Sequence, residues 1–502
     1  MAEGSNPIIW ADIPDPDVIR VEDTYYMIST TMHMMPGGVI LKSYDLLHWE
    51  IIHYLYDILE DDEASCLEGE NNIYGKGMWA ATLRYYKQTF YACFVANNTG
   101  KTYLYQTKEI EGKWQKSVIE GFYHDPSLLF DQDRVFIVYG NRDIYLTELK
   151  EDLSGPKENG VHQKIITDTS EVYLGYEGAH FYKIKDKYYV FLIHWLKTGH
   201  QRRVQACFVA DKIDGVYTGK DVLDADLDYH NCGIAQGGIV DTPDGHWYAM
   251  LFQDHGAVGR IPVLVPVTWK DDFPVFGIEG SVPKKLAIKT NHSSYNYHPI
   301  VDSDAFLYER NSDLKRVWQW NHNPNPKLWS LVERRGYLRI TTGKLSQSMI
   351  QAQNVLTQRT MGPVCEGSVY VDGSNLQNGD FAGIAAFQGC FGWIGLTKEE
   401  EVYYLVMRGI EKRENQEEER EYARIKIDHS YVRLKVSFDF RDNIDEAVFF
   451  YEDEGQWHKL GINHPLFFTL DHFMGCRIAL FLYATETIGG KADYKDFKYN
   501  HL

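Results

Sequence analysis

Three carboxylates stand at matching places in a repeated sequence pattern: Asp15, Asp125 and Glu177 each come just ahead of a run of residues typical of a β-strand. Hydrolysis of a glycosidic bond needs two carboxyl groups, one to protonate the leaving oxygen and one to activate water or attack the sugar. A third carboxylate nearby would keep the acid protonated by like-charge repulsion. Taken singly, each is more simply a turn or surface acid. Their shared position predicts a joint site for acid–base chemistry on a sugar.

Other residues near the starts of the repeats are candidates for holding a sugar. Trp79 precedes the second repeat and offers a flat apolar face for a sugar ring, although a core tryptophan explains it equally well. Gln236 stands ahead of the fifth repeat. Arg260 would clamp a hydroxyl group or hold a carboxylate ionised, and its simpler interpretation is a surface arginine. We therefore expect these residues to form the wall of the site that holds the three carboxylates.

The sequence contains no motif typical of other kinds of catalysis. The histidines near predicted strand ends form no HExxH pattern and the cysteines no CxxC pair, so a catalytic metal is unsupported; these histidines are His33, His124, His180, His194, His230 and His255. No Walker loop, GxSxG or GxGxxG appears, which argues against nucleotide binding and serine hydrolysis.

The elements that would position these residues are five repeats in the first 280 residues. Each has an apolar strand, a charged or Gly-containing turn, a strand rich in Tyr, Phe and Trp, and a third strand; the copies begin at Asp17, Ala80, Pro126, Ala179 and Gly238. Units of about 45–65 residues with three or four strands match the blades of a β-propeller. The sequence predicts an all-β chain with a five-bladed β-propeller at residues 1–285; a sandwich with accidental similarity is the competing interpretation.

The pattern changes after the propeller. Residues 286–303 lack a clear strand period and are interpreted as a linker. Residues 304–502 alternate apolar and polar positions between turns, which predicts an antiparallel β-sandwich.

Composition narrows the partners of this 502-residue chain. Its net charge of −20 repels phosphate backbones and anionic lipids, so nucleic acid and membranes are not expected as partners. The seven cysteines and the absence of a signal-peptide pattern indicate a cytoplasmic protein. Aromatic residues make up 14% of the chain, and the expected partner is a small oligosaccharide. Oligomeric state is left open, with a homo-oligomer as one option.

Several long motifs resemble glycoside hydrolase family 43, the propeller β-xylosidases and α-L-arabinofuranosidases. NPIIWADIPDPDVIRVEDTYYMIST looks like the family's opening, GMWAATLRYYKQTFY its second blade, HDPSLLFDQD its third and EGAHFYKIKDKYYVF its fourth. QGGIVDTPDGHWYAMLFQDHGAVGRIPVLVPVTWKDDFPVFG is similar to its fifth blade. VWQWNHNPNPKLWSLVERRGYLRITT and GDFAGIAAFQ resemble the concanavalin-like sandwich that follows many of these catalytic domains. The resemblance covers nearly the whole chain.

The resemblance implies a role for each carboxylate. Asp15 would be the general base, Glu177 the general acid, and Asp125 the residue that modulates the pKa and orients the acid. Arg260 matches a Gly-Arg near the terminal sugar subsite. The family inverts configuration, which predicts carboxyl groups of Asp15 and Glu177 about 6.5–9.5 Å apart.

The chain also departs from the family. Met32 and His33 stand where many relatives have an aromatic residue lining the sugar slot, and we expect both to contact substrate. Gln236 replaces a His that ligates a central calcium in some members, so no calcium is expected in the propeller. A structural calcium in the sandwich is an option near Ala492-Asp493-Tyr494-Lys495-Asp496. The chemistry itself requires no cofactor.

Together these features predict an exo-acting, inverting glycosidase. It would remove terminal β-1,4-xylosyl or α-L-arabinofuranosyl residues from xylo- and arabinoxylo-oligosaccharides, with the sandwich covering one edge of the pocket. Two alternatives stay open: an arabinan-directed α-L-arabinofuranosidase and a non-catalytic sugar-binding propeller. A lectin would repeat similar pockets in several blades, whereas this chain has different groups at the five inner positions.

Overall fold

A computed structural model of the chain describes residues 1–411 and 419–501. Within these residues the chain forms five small antiparallel sheets, which are the blades of a propeller, followed by two larger sheets that form a sandwich. Three 3-10 helices occur in the same residues, at Gly256–Val258, Met349–Gln351 and Arg441–Asn443. The predicted all-β fold, a five-bladed propeller followed by an antiparallel sandwich, is confirmed.

Each blade is a set of antiparallel strands that pair in sequence order. The first blade comprises Asp17–Val21, Thr24–Ser29, Gly37–Ser43 and Glu50–Tyr56. The second comprises Met78–Tyr86, Thr89–Ala96, Lys101–Thr107 and Gln115–Ile119. The third comprises Ser127–Asp131, Arg134–Asn141, Asp143–Leu149 and His162–Thr167. The fourth comprises Val172–Ile184, Lys187–Leu196, Arg203–Ala210 and Thr218–Leu223. The fifth has a split inner strand and comprises Ile234–Ala235, Ile239–Asp241, Trp247–Asp254, Arg260–Lys270 and Phe273–Phe276.

Apolar packing closes the ring between the first and fifth blades. A single core cluster joins Val18 and Met27 of the first blade to Met250 and Leu264 of the fifth. The N-terminal strand Ala2–Ser5 pairs with Lys285–Ile288 against this junction. Residues 286–288 were predicted as linker, but they are a strand because their buried positions, 286 and 288, complete this cluster.

A buried polar network fills the centre of the propeller. The carboxylate of Asp17 accepts hydrogen bonds from Arg84 Nη1 at 2.7 Å and from the backbone N–H of Leu83 at 2.7 Å, and His180 Nδ1 lies 3.0 Å from it. Arg84 also donates to the hydroxyl of Ser127 at 2.8 Å. Four blades therefore meet around one guanidinium group.

The sandwich consists of an eight-stranded and a seven-stranded sheet, counted over the described residues. The eight-stranded sheet has the order Arg420–Ile427, Val402–Gly409, Gly392–Glu399, Asp380–Phe387, Arg477–Ala484, Leu356–Arg359, Gln319–Asn321 and Met34–Met35. The seven-stranded sheet has the order Trp329–Ser330, Leu338–Thr341, Lys491–His501, Val364–Asn375, Tyr431–Asp439, Glu446–Asp453 and Gln456–Pro465. No helix in the described parts of the chain is long and apolar enough to cross a membrane.

One strand of the sandwich comes from the propeller. Met34 and Met35, in the loop between the second and third strands of the first blade, pair with Asn321 and Trp320. The two domains therefore share a hydrogen-bonded sheet, and the sandwich is held against the face of the propeller where the inner strands begin.

Candidate active site

The three predicted carboxylates meet at the entrance of the propeller's central channel. Asp15 and Asp125 stand two residues before the inner strands of the first and third blades, and Glu177 lies within the long inner strand of the fourth. Asp15 has φ 51° and Asp125 has φ 47°, a left-handed conformation in which aspartate is enriched. Asp15 and Asp125 are each 6% exposed, so both are buried carboxyl groups.

Asp15 is held by a guanidinium group. Arg260 Nη1 lies 3.1 Å from Oδ1 and 3.2 Å from Oδ2 of Asp15, and Thr30 donates its hydroxyl to Oδ2 at 2.8 Å. Arg260 is 4% exposed and its backbone N–H donates to Asp12 at 2.8 Å. The arginine therefore places a fixed, buried guanidinium group directly against this carboxylate.

Glu177 receives both of its hydrogen bonds on one oxygen. His124 Nε2 lies 3.2 Å from Oε2, and Asn141 Nδ2 donates to the same atom. The Glu177 side chain is 16% exposed, so part of it faces the pocket. Glu177 is thus a partly accessible carboxyl group that is oriented by two donors from the neighbouring third blade.

Asp125 is held by the backbone of the fourth blade, at the position directly beside Glu177 in sequence. Its Oδ2 accepts the N–H of Gly178, the residue after Glu177, at 2.9 Å and lies 3.7 Å from His124 Nε2. Burial, together with the carboxylates of Glu177 and Asp15, raises the pKa of Asp125 above its usual range. Burial would lower the pKa of His124, but the carboxylates of Asp125 and Glu177 outweigh it and raise that pKa. The cluster therefore holds a proton that an isolated aspartate would release.

These groups line one small pocket with apolar and cationic walls. Trp79 and Met32 form part of the wall, with Leu174, Ala80 and Phe252. Arg203 also lines the pocket, and its Nη1 donates to Asp254. Phe473 comes from the sandwich: its ring lies 4.6 Å from the guanidinium of Arg260, and its carbonyl oxygen accepts from Arg260 Nη2 at 3.5 Å. The sandwich thus contributes directly to the pocket.

Comparison with known proteins shows which family this chain belongs to. The model of glycosyl hydrolases family 43 matches residues 4–274, and the model of the β-xylosidase C-terminal concanavalin A-like domain matches residues 308–500. The chain belongs to glycosyl hydrolase family 43. It is therefore a glycoside hydrolase of a family that inverts configuration.

Individual family members are similar over most of the chain. A protein of Formosa agariphila named β-xylosidase is 27% identical over 99% of this chain and 90% of its own length. A protein of Bacteroides ovatus named non-reducing end α-L-arabinofuranosidase is 30% identical over 67% of this chain and 64% of its own. A solved structure described as a bifunctional GH43-CE protein of Bacteroides eggerthii has TM-score 0.92 and 44% identity over 99% of this chain. This chain spans 63% of the length of that protein.

Seven of the eight predicted site residues of this family 43 chain line the pocket: Asp15, Asp125, Glu177, Trp79, Arg260, Met32 and Gln236. Arg260 is buried rather than a surface residue, and Trp79 is half-buried. Trp79 donates its indole N–H to the carbonyl of Gly75 at 3.3 Å, which fixes the ring in the wall. Gln236 is anchored through its backbone N–H to Gln205 Oε1 at 2.7 Å.

His33 does not reach the pocket, contrary to the prediction that it contacts substrate. It is fully buried between the two domains, with the rings of Tyr74, His322 and His472 at 4.8, 5.1 and 5.0 Å. The backbone turns between Met32, which is hydrogen-bonded to Met78, and Met34, which joins the sandwich sheet. Adjacent residues in this turn therefore face different environments.

The residues proposed for calcium do not fit that ion. In the sandwich, Asp493 already accepts 2.7 Å hydrogen bonds from Arg339 on both oxygens and from Arg334 on one. Asp496 pairs with Lys498 at 2.8 Å. Among the described residues, the His, Cys, Asp and Glu side chains whose ligand atoms approach one another within 4.8 Å in a group of three are His124, Asp125 and Glu177. Those three residues belong to the pocket described above and hydrogen-bond or lie close to one another.

Sequence reasoning missed several residues of the site. Asn141 ends the second strand of the third blade, and Arg203 begins the third strand of the fourth, so neither stands just ahead of an inner strand, where the predicted residues lie. Phe473 is more than 200 residues from the rest of the pocket in sequence. His124 was noted beside Asp125, but its contact with Glu177 crosses from one blade to the next and leaves no sequence signal.

Proposed function

We propose that this chain removes single terminal pentosyl residues, β-1,4-xylosyl or α-L-arabinofuranosyl, from the non-reducing ends of xylo- and arabinoxylo-oligosaccharides. The observation that carries this proposal is the form of the pocket. The Asp17–Arg84 network fills the channel beyond it, and Phe473 of the sandwich forms part of its wall. A pocket limited on these sides suits the end of a sugar chain rather than its middle. The names of the Formosa and Bacteroides relatives support pentosides as substrates.

The reaction follows from the positions of the carboxyl groups. Glu177 protonates the glycosidic oxygen as the bond from that oxygen to the anomeric carbon breaks. Asp15 accepts a proton from the water that attacks the anomeric carbon from the opposite face, which inverts configuration. Asp125 holds the backbone after Glu177 and, by its own charge, makes ionisation of the cluster less favourable. Trp79 offers the stacking face for the sugar.

Parallel kinetics test the activity and its specificity. We expect 4-nitrophenyl β-D-xylopyranoside and 4-nitrophenyl α-L-arabinofuranoside to be cleaved, and xylotriose to release xylose from the non-reducing end before any internal cut. NMR spectra recorded in the first minutes should show α-xylose from the β-xyloside. Asp15→Asn and Glu177→Gln serve as controls, and wild-type rates of xylotriose hydrolysis in either variant would contradict the catalytic assignment. Binding of xylotriose by the wild-type protein without any hydrolysis would favour a sugar-binding propeller.

Arabinan is the substrate of the alternative enzyme. Faster release of arabinose from arabino-oligosaccharides than of either pentose from arabinoxylo-oligosaccharides would replace the xylan assignment. We further propose that the enzyme acts in the cytoplasm on imported oligosaccharides, since a small pocket suits short substrates and the seven cysteines, all in the described residues, form no disulfide bond. Fractionation of the source cells tests that location, and sedimentation tests whether the protein forms a homo-oligomer.

A further inference from the structure

Both hydrogen-bond donors to the general acid lie on the same oxygen. His124 Nε2 and Asn141 Nδ2 both hydrogen-bond to Oε2 of Glu177, and within the described residues no group donates a hydrogen bond to Oε1. A carboxylic acid carries its proton on one oxygen and accepts hydrogen bonds on the other. Two N–H groups at Oε2 leave no place for a proton there, so the acidic proton belongs on Oε1.

The imidazole of His124 is fixed from several sides. Its Nε2 lies 3.7 Å from Asp125 Oδ2, and its ring centroid is 6.0 Å from that of Trp79 in an edge-to-face arrangement. The side chain is 22% exposed. The surrounding carboxylates raise the pKa of His124, which keeps a proton on Nε2 at neutral pH. With this proton on Nε2, His124 is an N–H donor to Oε2 of Glu177.

We propose that His124 is a positioning residue for the general acid: with Asn141, it sets the carboxyl group of Glu177 so that Oε1 delivers the proton to the leaving oxygen. The inference rests on the proposed acid role of Glu177. As the proton leaves Oε1 and the glycosidic bond breaks, Glu177 becomes a carboxylate. Hydrogen bonds to a charged acceptor are stronger than those to a neutral one, so both donors stabilise the transition state more than the substrate complex.

Leaving-group dependence separates this role from a merely structural one. An alkoxide leaving group needs the proton from the acid, whereas dinitrophenolate leaves without it. For His124→Phe we expect kcat/KM to fall about 100-fold on methyl β-D-xyloside or xylobiose and by less than about threefold on 2,4-dinitrophenyl β-D-xyloside. His124→Gln retains an amide donor and should recover most of the lost rate on xylobiose. His162→Phe, on the same blade and hydrogen-bonded to Thr147, is the matched control and should match wild type on both substrates.

Two further variants make each outcome decisive. Asn141→Ala removes the other donor and must show the same dependence on the leaving group, even if His124→Phe fails to fold. Glu177→Gln tests the acid role itself: a large loss on xylobiose with a small loss on the dinitrophenyl substrate supports it. If Glu177→Gln shows this pattern but His124→Phe and Asn141→Ala lose activity equally on both substrates, or lose none, the positioning role is refuted while the proposed function stands. If Glu177→Gln lacks the pattern, the acid assignment fails.

Discussion

Replacing Asp125 by asparagine should make the protein more stable and less active. The pKa of Asp125 is raised from 3.8 to about 7, mainly by burial. The folded protein therefore binds this proton more tightly than the unfolded chain, and ionising the carboxyl group works against folding. A difference of about 3 pKa units corresponds to about 4 kcal/mol. This destabilisation is absent near pH 4, grows as pH rises through about 7, and is complete at pH 8.

The variant keeps the shape and one hydrogen bond of the site. In Asp125→Asn, the oxygen of the introduced amide can accept the N–H of Gly178 in place of the carboxylate. The attraction between Asp125 and His124 is already included in the raised pKa of Asp125. The NH2 group of the introduced amide adds a donor in a buried site, which reduces the gain by about 1 kcal/mol. We therefore expect Asp125→Asn to gain up to about 3 kcal/mol at pH 8, at about 1–2 °C of melting temperature per kcal/mol for a chain of this length. Activity should fall at least about 100-fold because the acid is no longer correctly supported.

Thermal unfolding from pH 4 to pH 8 measures the effect. The matched control is Asp131→Asn, which should change the melting temperature at pH 8 in the opposite direction. Burial would raise the pKa of Asp131, but hydrogen bonds from Lys183 and Tyr188 lower it, so this variant should lose stability at pH 8 and approach wild type at low pH. A melting temperature for Asp125→Asn at or below wild type at pH 8, or a gain that is the same at every pH, would refute the reasoning.

Two further variants test the supports of the pocket. Burial alone would raise the pKa of Asp17, but Arg84 and His180 bring it to about 2, so its contribution to stability is present above the unfolded pKa and is lost only as pH falls toward 2. Asp17→Asn should lower the free energy of unfolding, measured in urea, by about 3–5 kcal/mol at every pH from 5 to 8. The control, Asp241→Asn, breaks the more exposed ion pair with Arg20 and should lower it by less than about 1 kcal/mol. Equal losses of stability in the two variants would contradict a special role for the central ion pair. Phe473→Ala removes the ring against Arg260 and should lower kcat/KM about tenfold, mainly through KM, with an unchanged melting temperature. Phe467→Ala, an exposed residue of the same loop, is its control, and indistinguishable kinetics for the two variants would remove Phe473 from the binding site.

The repeated sequence pattern made it possible to predict that three carboxylates line one pocket. Asp15 and Asp125 occupy the same place before an inner strand and share a left-handed backbone conformation, and the propeller brings such places together. The pattern does not describe contacts between blades, so the hydrogen bonds of His124 and Asn141 to Glu177 emerged only in three dimensions. The prediction for His33 rested on the family's aromatic position in this loop, and it was wrong because the turn between Met32 and Met34 directs the His33 ring toward Tyr74 and His322 rather than into the pocket.

The junction of the two domains explains why the pocket depends on residues so distant in sequence. Asp12, three residues before Asp15, accepts the backbone N–H of Arg260 on one oxygen and that of Gly475, in the sandwich, on the other at 2.9 Å. Gly475 follows Phe473 by two residues, so a single buried carboxylate sets the position of the arginine and of the loop that carries the phenylalanine. Because Met34 and Met35 also pair with the sandwich sheet, the loop after the second strand of the first blade is held from both sides. The sandwich is therefore part of the structure that gives the pocket its shape, and the geometry around Asp15 is a property of both domains.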